Sequence, residues 1–277
     1  MAELANKISP RLTPEQADKV EKSMFLIFTK EGKSGAPLTE DNLRAHQSAS
    51  TSNTAQGSGL GSQSYTASQF AGAGFFYAQP GLGITPRHQL TEGQIAGTST
   101  VRVYVPRYGT ELELKVVAEY EEKDFAYLRC TTHPESGAGT DIITAEKDTP
   151  TPGASVVMFS SSLGQWLQLS GASQQFDPKI VQRIAKIMTL VKPRFSYSTS
   201  TFKGDCGSPI VLSSGGKLVG MHVEMVNEVD DPALKKRKTT PSRRLSDLES
   251  SVASSGPHEA VALLATFFPP VPPMPRS

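Results

Sequence analysis

Short runs of β-prone residues recur along most of this chain, and turn signals separate them every 8 to 15 residues. Three clear examples are TSTVRVYVP at 98–106, ELELKVVAEY at 111–120 and KLVGMHVEMV at 217–226. Many short strands at this spacing are typical of an antiparallel sandwich or a pair of barrels, not of alternating βαβ units. The sequence therefore predicts an all-β fold.

Two segments depart from this pattern and predict helices. In TPEQADKVEK (13–22), Thr13 and Gln16 form a capping-box pattern and Pro14 suits the first helical position. In PKIVQRIAKIMTLV (178–191), apolar side chains recur at helical offsets, which favours a helix over a strand. These side chains are Ile180, Ile184, Ile187, Met188 and Val191.

Two stretches contain too few large apolar side chains to build a core. Residues 33–68 are mostly Ser, Thr, Gly, Gln and Ala, which predicts a flexible insertion. From 227 the chain turns polar, passes through the basic run KKRKTTPSRR and ends in FFPPVPPMPRS, which predicts a disordered tail. We therefore divide the chain into an extension at 1–19, a folded domain at 20–226 and a tail at 227–277.

Composition narrows the class of protein. A formal net charge of +1 at pH 7 gives the whole chain no strong attraction to nucleic acid or anionic membranes. No run approaches the roughly 18 apolar residues that cross a bilayer, and the N-terminus lacks the apolar core of a signal peptide. Two cysteines cannot make a disulfide framework. We expect a cytoplasmic protein with free thiols and no membrane partner. The basic run at 235–244 leaves RNA contact or nuclear import open, although a solvated linker explains it more simply.

One of the two cysteines lies in a glycine-rich turn between two apolar runs. In Gly204-Asp205-Cys206-Gly207 the glycines permit positive φ angles and can bring the N–H groups of Gly204 and Cys206 close to one point. Converging N–H groups stabilise the negative charge that develops on a carbonyl oxygen under attack. Cys206 is therefore the candidate nucleophile, and a buried structural thiol is the alternative. Cys130 has no comparable surroundings and is predicted to be a small core side chain.

A cysteine nucleophile needs a base, and the base needs an acid that orients it. His88 follows a predicted strand, where its ring would lie at the rim of a sheet. Asp124 directly precedes the half-buried run FAYL, where a carboxylate needs a partner. Glu121 or Glu122 could replace it as the acid, and Glu119 lies nearby. The remaining histidines except His222 fall in the insertion, a turn and the tail, namely His46, His133 and His258.

These residues resemble the chymotrypsin-fold peptidases in order and spacing. The similar segments are GAGFF (72–76) with ITPRH (84–88), DFAYL (124–128) and GDCGSPIV (204–211). Cysteine in the nucleophile position makes the chain more similar to the viral cysteine proteases of the picornain (3C-like) and potyviral nuclear-inclusion-a type. The resemblance implies two antiparallel six-stranded barrels, at about 20–135 and 150–226, with the catalytic residues His88, Asp124 and Cys206 between them.

The same resemblance implies a substrate preference and a role. In these viral proteases a threonine and a second histidine, here Thr201 and His222, bind the side chain before the scissile bond and select glutamine or glutamate. A satisfied core histidine is the alternative for His222. The predicted function is a cysteine endopeptidase acting on polypeptides, without a metal or organic cofactor, in viral polyprotein processing. An inactive trypsin-like scaffold and a cellular trypsin-like peptidase of other specificity are the alternatives.

Overall fold

The structure is a computed structural model, and it describes residues 11–29, 65–163, 175–202, 204–226 and 259–273. Two closed barrels, each of six antiparallel strands, account for most of these residues. The predicted all-β, two-barrel fold is therefore confirmed.

The first barrel follows a short helix, α1, at Pro14–Ser23, which has the predicted capping box between Thr13 and Gln16. The strands up to the end of this barrel, in chain order, are β1 (Met24–Phe28), β2 (Tyr65–Thr66), β3 (Phe70–Phe76), β4 (Leu82–Thr85), β5 (Val101–Val105), β6 (Thr110–Tyr120) and β7 (Phe125–Cys130). A one-turn helix, α2, at Glu92–Ile95 precedes β5. The barrel order is β1-β3-β4-β7-β6-β5, and β1 also pairs with β5 to close it.

The second barrel uses the later strands and one strand from near the C-terminus. These strands are β8 (Ser155–Ser161), β9 (Gln175–Phe176), β10 (Ile180–Val191), β11 (Arg194–Ser198), β12 (Pro209–Leu212), β13 (Leu218–Val226) and β14 (Glu259–Leu264). The barrel order is β10-β11-β14-β13-β12-β8. Strands β2 and β9 belong to neither barrel and pair with each other. Because β2 precedes a strand of the first barrel and β9 precedes one of the second, this small sheet links the two.

The cores follow from alternation along the strands. In β5, for example, Val101, Val103 and Val105 are fully buried while Arg102 between them is exposed. This two-residue period places one set of side chains inside each barrel. Each barrel has its own apolar cluster, and a third cluster combines residues of both, including Phe75 of β3 and Phe159 of β8. The two barrels are therefore packed directly against each other.

The helix predicted at 178–191 is wrong, because this segment forms β10. It pairs with β8 on one side and with β11 on the other. As a strand it leaves Ile184, Met188 and Val191 exposed at 71%, 54% and 74%. Local apolar spacing favoured a helix, but backbone hydrogen bonds to two neighbouring strands outweigh that preference.

The disordered tail predicted for all of 227–277 is also wrong in part. Strand β14 pairs with β11 and with β13 and so completes the second barrel. Its sequence, EAVALL, is short and rich in alanine, so it carries little local signal. Its partners lie far away in sequence, and only the folded chain reveals them. The flexible insertion predicted at 33–68 is likewise wrong at its end, since Tyr65–Thr66 form β2 and Ala67–Gln69 form a helical turn. The rest of that prediction, at 33–64, lies outside the described residues.

Residues 265–273, here called the C-terminal strap, run from β14 onto the first barrel. The Phe268 ring lies 5.0 Å from that of Phe125 and 5.6 Å from that of Tyr77. The Tyr127 hydroxyl donates to the Pro269 carbonyl at 2.6 Å. Proline has no N–H for a sheet but keeps its carbonyl as an acceptor, so a proline-rich segment can be held in this way.

The structure adds one finding on membranes. Among the described segments, no helix has the length and apolarity to span a bilayer.

Candidate active site

The pairing of β4 with β7 brings the predicted base and acid together. The strands are antiparallel, with Thr85 opposite Ala126, so the end of β4 lies beside the start of β7. His88 sits in a single helical turn just after β4, and Asp124 immediately precedes β7. Residues 36 positions apart in the chain therefore meet at one rim of the first barrel.

The Asp124 carboxylate contacts His88 at two points. Oδ1 accepts the His88 backbone N–H at 2.9 Å, and Oδ2 accepts the ring Nδ1–H at 2.6 Å. Asp124 has a φ of +51°, a left-handed conformation that aspartate tolerates better than most residues. Burial would raise the pKa of Asp124, but the hydrogen bonds from His88 outweigh burial and lower the pKa below its ordinary value. The carboxylate therefore stays charged and fixes the imidazole's orientation.

Two of the other acids considered for this position pair with Arg87, and the third, Glu122, is exposed. Arg87 pairs with Glu119 at 2.6 Å and lies 3.9 Å from Glu121. Arg87 thus draws two neighbouring carboxylates away from the His88 ring, which leaves Asp124 as the acid in contact with it.

Cys206 lies on the loop between β11 and β12, and the first barrel holds its backbone. The Cys206 carbonyl accepts the backbone N–H of Ala73 at 2.9 Å and the Gln89 side-chain amide at 2.6 Å. The Sγ atom lies 3.6 Å from the Val223 carbonyl on β13. Two strands of different barrels therefore determine where the sulfur lies.

His88 interacts with Cys206 as well as with Asp124. Burial lowers the pKa of His88, but side-chain hydrogen bonds to Asp124 and to Cys206, with the charges of both, raise it to about 10. An imidazole between a carboxylate and a thiol can take the thiol's proton and stay charged. The structure thus brings the three residues together, with the His88 ring between Asp124 and Cys206.

Glycine is required on both sides of Cys206. Gly207 has a φ of +90°, and a Cβ atom there would lie 1.8 Å from the Ala73 carbonyl oxygen. Gly204 has a φ of +94°, and a Cβ atom there would lie 2.6 Å from Leu163. In the described part of the chain, the backbone N–H groups of Gly204 and Cys206 have no hydrogen-bond acceptor. They are free to bind an oxyanion.

His222 on β13 is fully buried, and its ring is paired on one side only. The Tyr197 hydroxyl lies 2.9 Å from His222 Nδ1. The same hydroxyl is 3.0 Å from the Met158 sulfur, but a thioether is a weak acceptor. We therefore assign the Tyr197 proton to Nδ1 and the proton of the neutral ring to Nε2. That atom is buried and has no hydrogen-bond partner among the described residues.

Charge on His222 is strongly disfavoured. Burial lowers the pKa of His222 to about 3, with smaller contributions from Arg183 and His88, while the Val261 backbone acts in the opposite direction. The ring is therefore neutral at physiological pH. A neutral ring with an unpaired Nε2–H can donate to an uncharged acceptor without attracting cations or anions.

Thr201 lies on the loop before Cys206, between Ser200 and Phe202. The carbonyl of Ser200 accepts a hydrogen bond from Arg183, and the N–H of Phe202 donates one to Asp205. Its side chain is half-buried. No hydrogen bond between Thr201 and His222 is present in the part of the chain that the structure describes.

The remaining candidates lie outside this site. His133 is exposed in a turn. Cys130 is partly buried on β7, and burial raises its pKa to about 11. His46, His258 and the basic run at 235–244, with the RNA contact predicted for it, lie outside the described residues.

The buried neutral His222 predicts acid sensitivity. In the unfolded chain a histidine takes up a proton near pH 6.5, whereas in the folded chain His222 does so only near pH 3. The unfolded state therefore binds more protons between these values, and the free energy of unfolding falls as pH decreases through this window. His88 stays protonated in the folded state across this window, and the uptake of its proton in the unfolded state is the same in the wild type and in His222→Gln.

The test is to measure the free energy of unfolding in urea at pH 6.5 and at pH 4.5 for the wild type and for His222→Gln. We expect the decrease between the two pH values to be about 2 to 3 kcal/mol larger in the wild type. Contributions from the carboxylates occur in both proteins and cancel. An equal loss in the two proteins would contradict a buried neutral ring.

Two residues of the site were not predicted from the sequence. Gln89 binds the Cys206 carbonyl, and its Oε1 accepts the Thr85 hydroxyl at 3.1 Å. Tyr197 sets the proton position on His222. Gln89 directly follows His88, which is a weak local signal, but Tyr197 could be found only from the pairing of β11, β14 and β13.

Comparison with known proteins agrees with the fold. The family model described as a trypsin-like peptidase domain matches residues 72–221. The active form of the Rv3671c protease of M. tuberculosis superposes with a TM-score of 0.50 at 15% identity, covering 93% of this chain and 83% of that chain. At this identity the likeness shows the fold alone.

Two further solved structures are similar. The inactive form of the Rv3671c protease has a TM-score of 0.49 at 16% identity, with 93% of this chain and 92% of that chain covered. A serine endoprotease of Yersinia pestis has a TM-score of 0.46 at 14% identity, with coverage of 78% and 60%. Among curated proteins no sequence matches the chain significantly.

Proposed function

The chain belongs to the trypsin-like peptidase domain family, and from this premise we propose that it is a cysteine endopeptidase. The observation that carries the proposal is the His88 ring, which is hydrogen-bonded to the Asp124 carboxylate and lies close enough to the Cys206 thiol for the two to interact electrostatically. A thiol is a good nucleophile only as the thiolate, and a base held by a carboxylate supplies that form.

The proposed reaction is acyl transfer from a peptide to the thiol and then to water. His88 takes the proton of Cys206, and the thiolate attacks the carbonyl carbon of the scissile bond. The N–H groups of Gly204 and Cys206 stabilise the negative oxygen of the tetrahedral intermediate. His88 then protonates the leaving amine, and a water molecule activated by His88 hydrolyses the thioester.

We propose further that the peptidase prefers glutamine or glutamate before the scissile bond. His222 supports this preference because its Nε2–H is buried without an acceptor, and a side-chain amide oxygen would supply one. Thr201, on the loop that carries Cys206, is the second proposed contact. A role in viral polyprotein processing is supported by the resemblance of residues 201–211 to the viral proteases.

The first test of the proposed function is the cleavage of a peptide library. A peptide library is incubated with the wild type, Cys206→Ala and Cys206→Ser, and the cleaved bonds are identified by mass spectrometry. We expect cleavage after Gln or Glu by the wild type and none by Cys206→Ala. Cleavage after other residues would favour a trypsin-like peptidase of different specificity.

Alkylation by iodoacetamide near pH 7 tests the nucleophile separately. We expect Cys206 to be labelled and Cys130 to react slowly, because burial raises the pKa of Cys130 to about 11. The variant His88→Ala should slow labelling of Cys206 only. Equal labelling of both cysteines in a protein that cleaves nothing would favour an inactive trypsin-like scaffold.

A further inference from the structure

The proposed base and nucleophile belong to different barrels, so the distance between them depends on contacts between the barrels. His88 is held on the first barrel, where Asp124 accepts both its backbone N–H and its ring Nδ1–H. Cys206 lies on a loop of the second barrel, between β11 and β12. Proton transfer requires the ring and the thiol to lie close to hydrogen-bonding distance. A contact that joins the Cys206 backbone to the turn of His88 would therefore set the geometry of the reaction.

Gln89, the residue after His88, makes such a contact. Its side-chain Nε2 donates to the Cys206 carbonyl at 2.6 Å. Gln89 is only 7% exposed, and its backbone N–H binds the Pro86 carbonyl at 3.3 Å at the helical turn that also contains His88. One buried amide therefore reaches from the turn of the base to the backbone of the nucleophile.

Two neighbours determine the orientation of the Gln89 amide. A carbonyl oxygen only accepts hydrogen bonds, so the amide nitrogen faces Cys206 and the amide oxygen faces the Thr85 hydroxyl, 3.1 Å away. The Thr85 hydroxyl also lies 2.9 Å from the Ala73 carbonyl, and the Ala73 N–H donates to the Cys206 carbonyl at 2.9 Å. Three residues of the first barrel thus form one hydrogen-bonded network that ends on the Cys206 carbonyl.

Gly72, directly before Ala73 on β3, leaves room for this amide. A Cβ atom at Gly72 would lie 2.6 Å from Cδ of Gln89, and the nearest atoms around it all belong to the Gln89 side chain. Gly72 does not have a positive φ, so its backbone conformation is open to other residues. The missing Cβ atom is therefore matched to the Gln89 side chain and not to the backbone.

Loss of the Gln89 amide would not leave the Cys206 carbonyl unpaired. The Ala73 N–H would still bind this carbonyl, so the fold keeps the hydrogen bond that a buried acceptor requires. The turn of His88, however, would lose its link to the Cys206 backbone. A displacement of about 1 Å between reacting groups can cost about 100-fold in rate. The expected effect of Gln89 therefore concerns catalysis more than stability.

We propose that Gln89 is a positioning residue of the peptidase: its amide holds the Cys206 backbone against the turn of His88 and so keeps the thiol within reach of the imidazole. This inference rests on the proposed function and deepens it. Gln89 acts through the backbone carbonyl of Cys206, so its contribution is to the distance between base and nucleophile.

The experiment removes the contact in two independent ways. Gln89→Met keeps a side chain of similar length but cannot donate a hydrogen bond. Gly72→Ala keeps Gln89 but adds a methyl group in the space that the amide occupies. The double variant Gly72→Ala/Gln89→Met combines the two substitutions.

Each substitution has a matched control in the described part of the chain. Gln94→Met removes a glutamine that also makes two side-chain hydrogen bonds on the first barrel, one from the Thr91 N–H and one to the Thr100 carbonyl. Gly215→Ala adds a methyl group where a Cβ atom would meet no other atom within 4 Å.

Four quantities are measured for each protein: kcat and KM on a glutamine peptide, the rate of Cys206 alkylation by iodoacetamide as a function of pH, and the Tm. We expect kcat of Gln89→Met and of Gly72→Ala to fall about 10- to 100-fold, with KM within about threefold of the wild type. Alkylation of Cys206 near pH 7 should slow about 10-fold, and its pH midpoint should rise, because the thiolate forms readily only where His88 can accept the proton.

The double variant should be no less active than the weaker single variant, because both substitutions break the same contact. Gln94→Met should lower the Tm by an amount comparable to Gln89→Met while keeping the kcat and the alkylation profile of the wild type. Gly215→Ala should match the wild type in all four quantities. These controls separate positioning of the thiol from general stability.

Three results would overturn the inference. One is a folded Gln89→Met protein with the kcat and the alkylation profile of the wild type. Another is a fall in kcat with an unchanged alkylation profile, since Gln89 would then act on a step other than formation of the thiolate. The third is a double variant whose loss equals the product of the two single losses, which would assign the substitutions to different contacts. If the wild type cleaves no peptide and its Cys206 reacts no faster than Cys130, the proposed function fails, which is a separate outcome.

Discussion

Replacing His88 by alanine is expected to lower kcat for cleavage of a glutamine peptide by about 10,000-fold or more. The ring performs two proton transfers, from the thiol and to the leaving amine, and no other base is in contact with Cys206 in the described part of the chain. The ring also keeps the sulfur in its reactive form, so alkylation of Cys206 should slow as well. KM should change little, because the ring contributes little to binding of the ground state.

The control for this prediction is His133→Ala. This histidine is exposed in a turn, so its loss should leave kcat, KM and Tm unchanged. The variant Asp124→Asn should lower kcat by about 10,000-fold, because an amide no longer holds Nδ1–H and the ring loses a partner that raises its pKa.

Combining two substitutions gives a stricter test of whether Cys206 and His88 act together. The double variant Cys206→Ala/His88→Ala should be no less active than Cys206→Ala alone, because the base has no function without the thiol. If His88→Ala retained more than about a tenth of wild-type kcat, the proposed base would be wrong, and the His88–Asp124 pair would be structural.

Exchanging glutamine for leucine before the scissile bond is expected to lower kcat/KM by about 10,000-fold in the wild type. Leucine has a similar size but cannot accept a hydrogen bond, so Nε2–H of His222 would stay buried and unpaired. A site built around a polar group discriminates strongly against an apolar ligand for this reason.

His222→Leu should remove most of this discrimination by lowering kcat/KM for the glutamine peptide, with much less effect on the leucine peptide. Tyr197→Phe should act in the same direction but more weakly, because the ring stays in place while the proton is no longer directed to Nε2. The matched control is Tyr77→Phe, a tyrosine that packs against the C-terminal strap. Discrimination that stays unchanged in His222→Leu would exclude His222 from substrate recognition.

The elements that the sequence predicted well depend on short-range patterns. Capping residues at 13–16 and alternation in segments such as 101–105 act over a few positions, and the structure has the expected helix and strand there. Where the structure of a segment depends on partners far away in the sequence, its local pattern predicted the wrong structure. Strand β10 was predicted as a helix, and β14 was predicted as part of a disordered tail.

The residues of the candidate site also fall into those that local sequence identified and those that it did not. His88, Asp124 and Cys206 were identified because each stands next to a strand in a distinctive local sequence. Gln89 and Tyr197 were not identified as part of the site, since each contacts a partner on another strand or loop. Likewise, no local pattern around Arg183, within an apolar run, indicates its ion pair with the buried Asp205 carboxylate 22 positions later.

The amino-acid sequence alone determined that the chain forms short antiparallel strands, that glycines flank the thiol, and that an imidazole and a carboxylate lie at strand ends. These properties arise from side-chain alternation, from the absence of a Cβ atom and from turn chemistry, all of which are local. Tertiary structure alone decided which strands close each barrel and how the loop of Cys206 meets the first barrel at Ala73 and Gln89. It also decided which ring nitrogen of His222 carries the proton. Those outcomes depend on hydrogen bonds and burial between residues more than 20 positions apart, and they exist only once the barrels have packed.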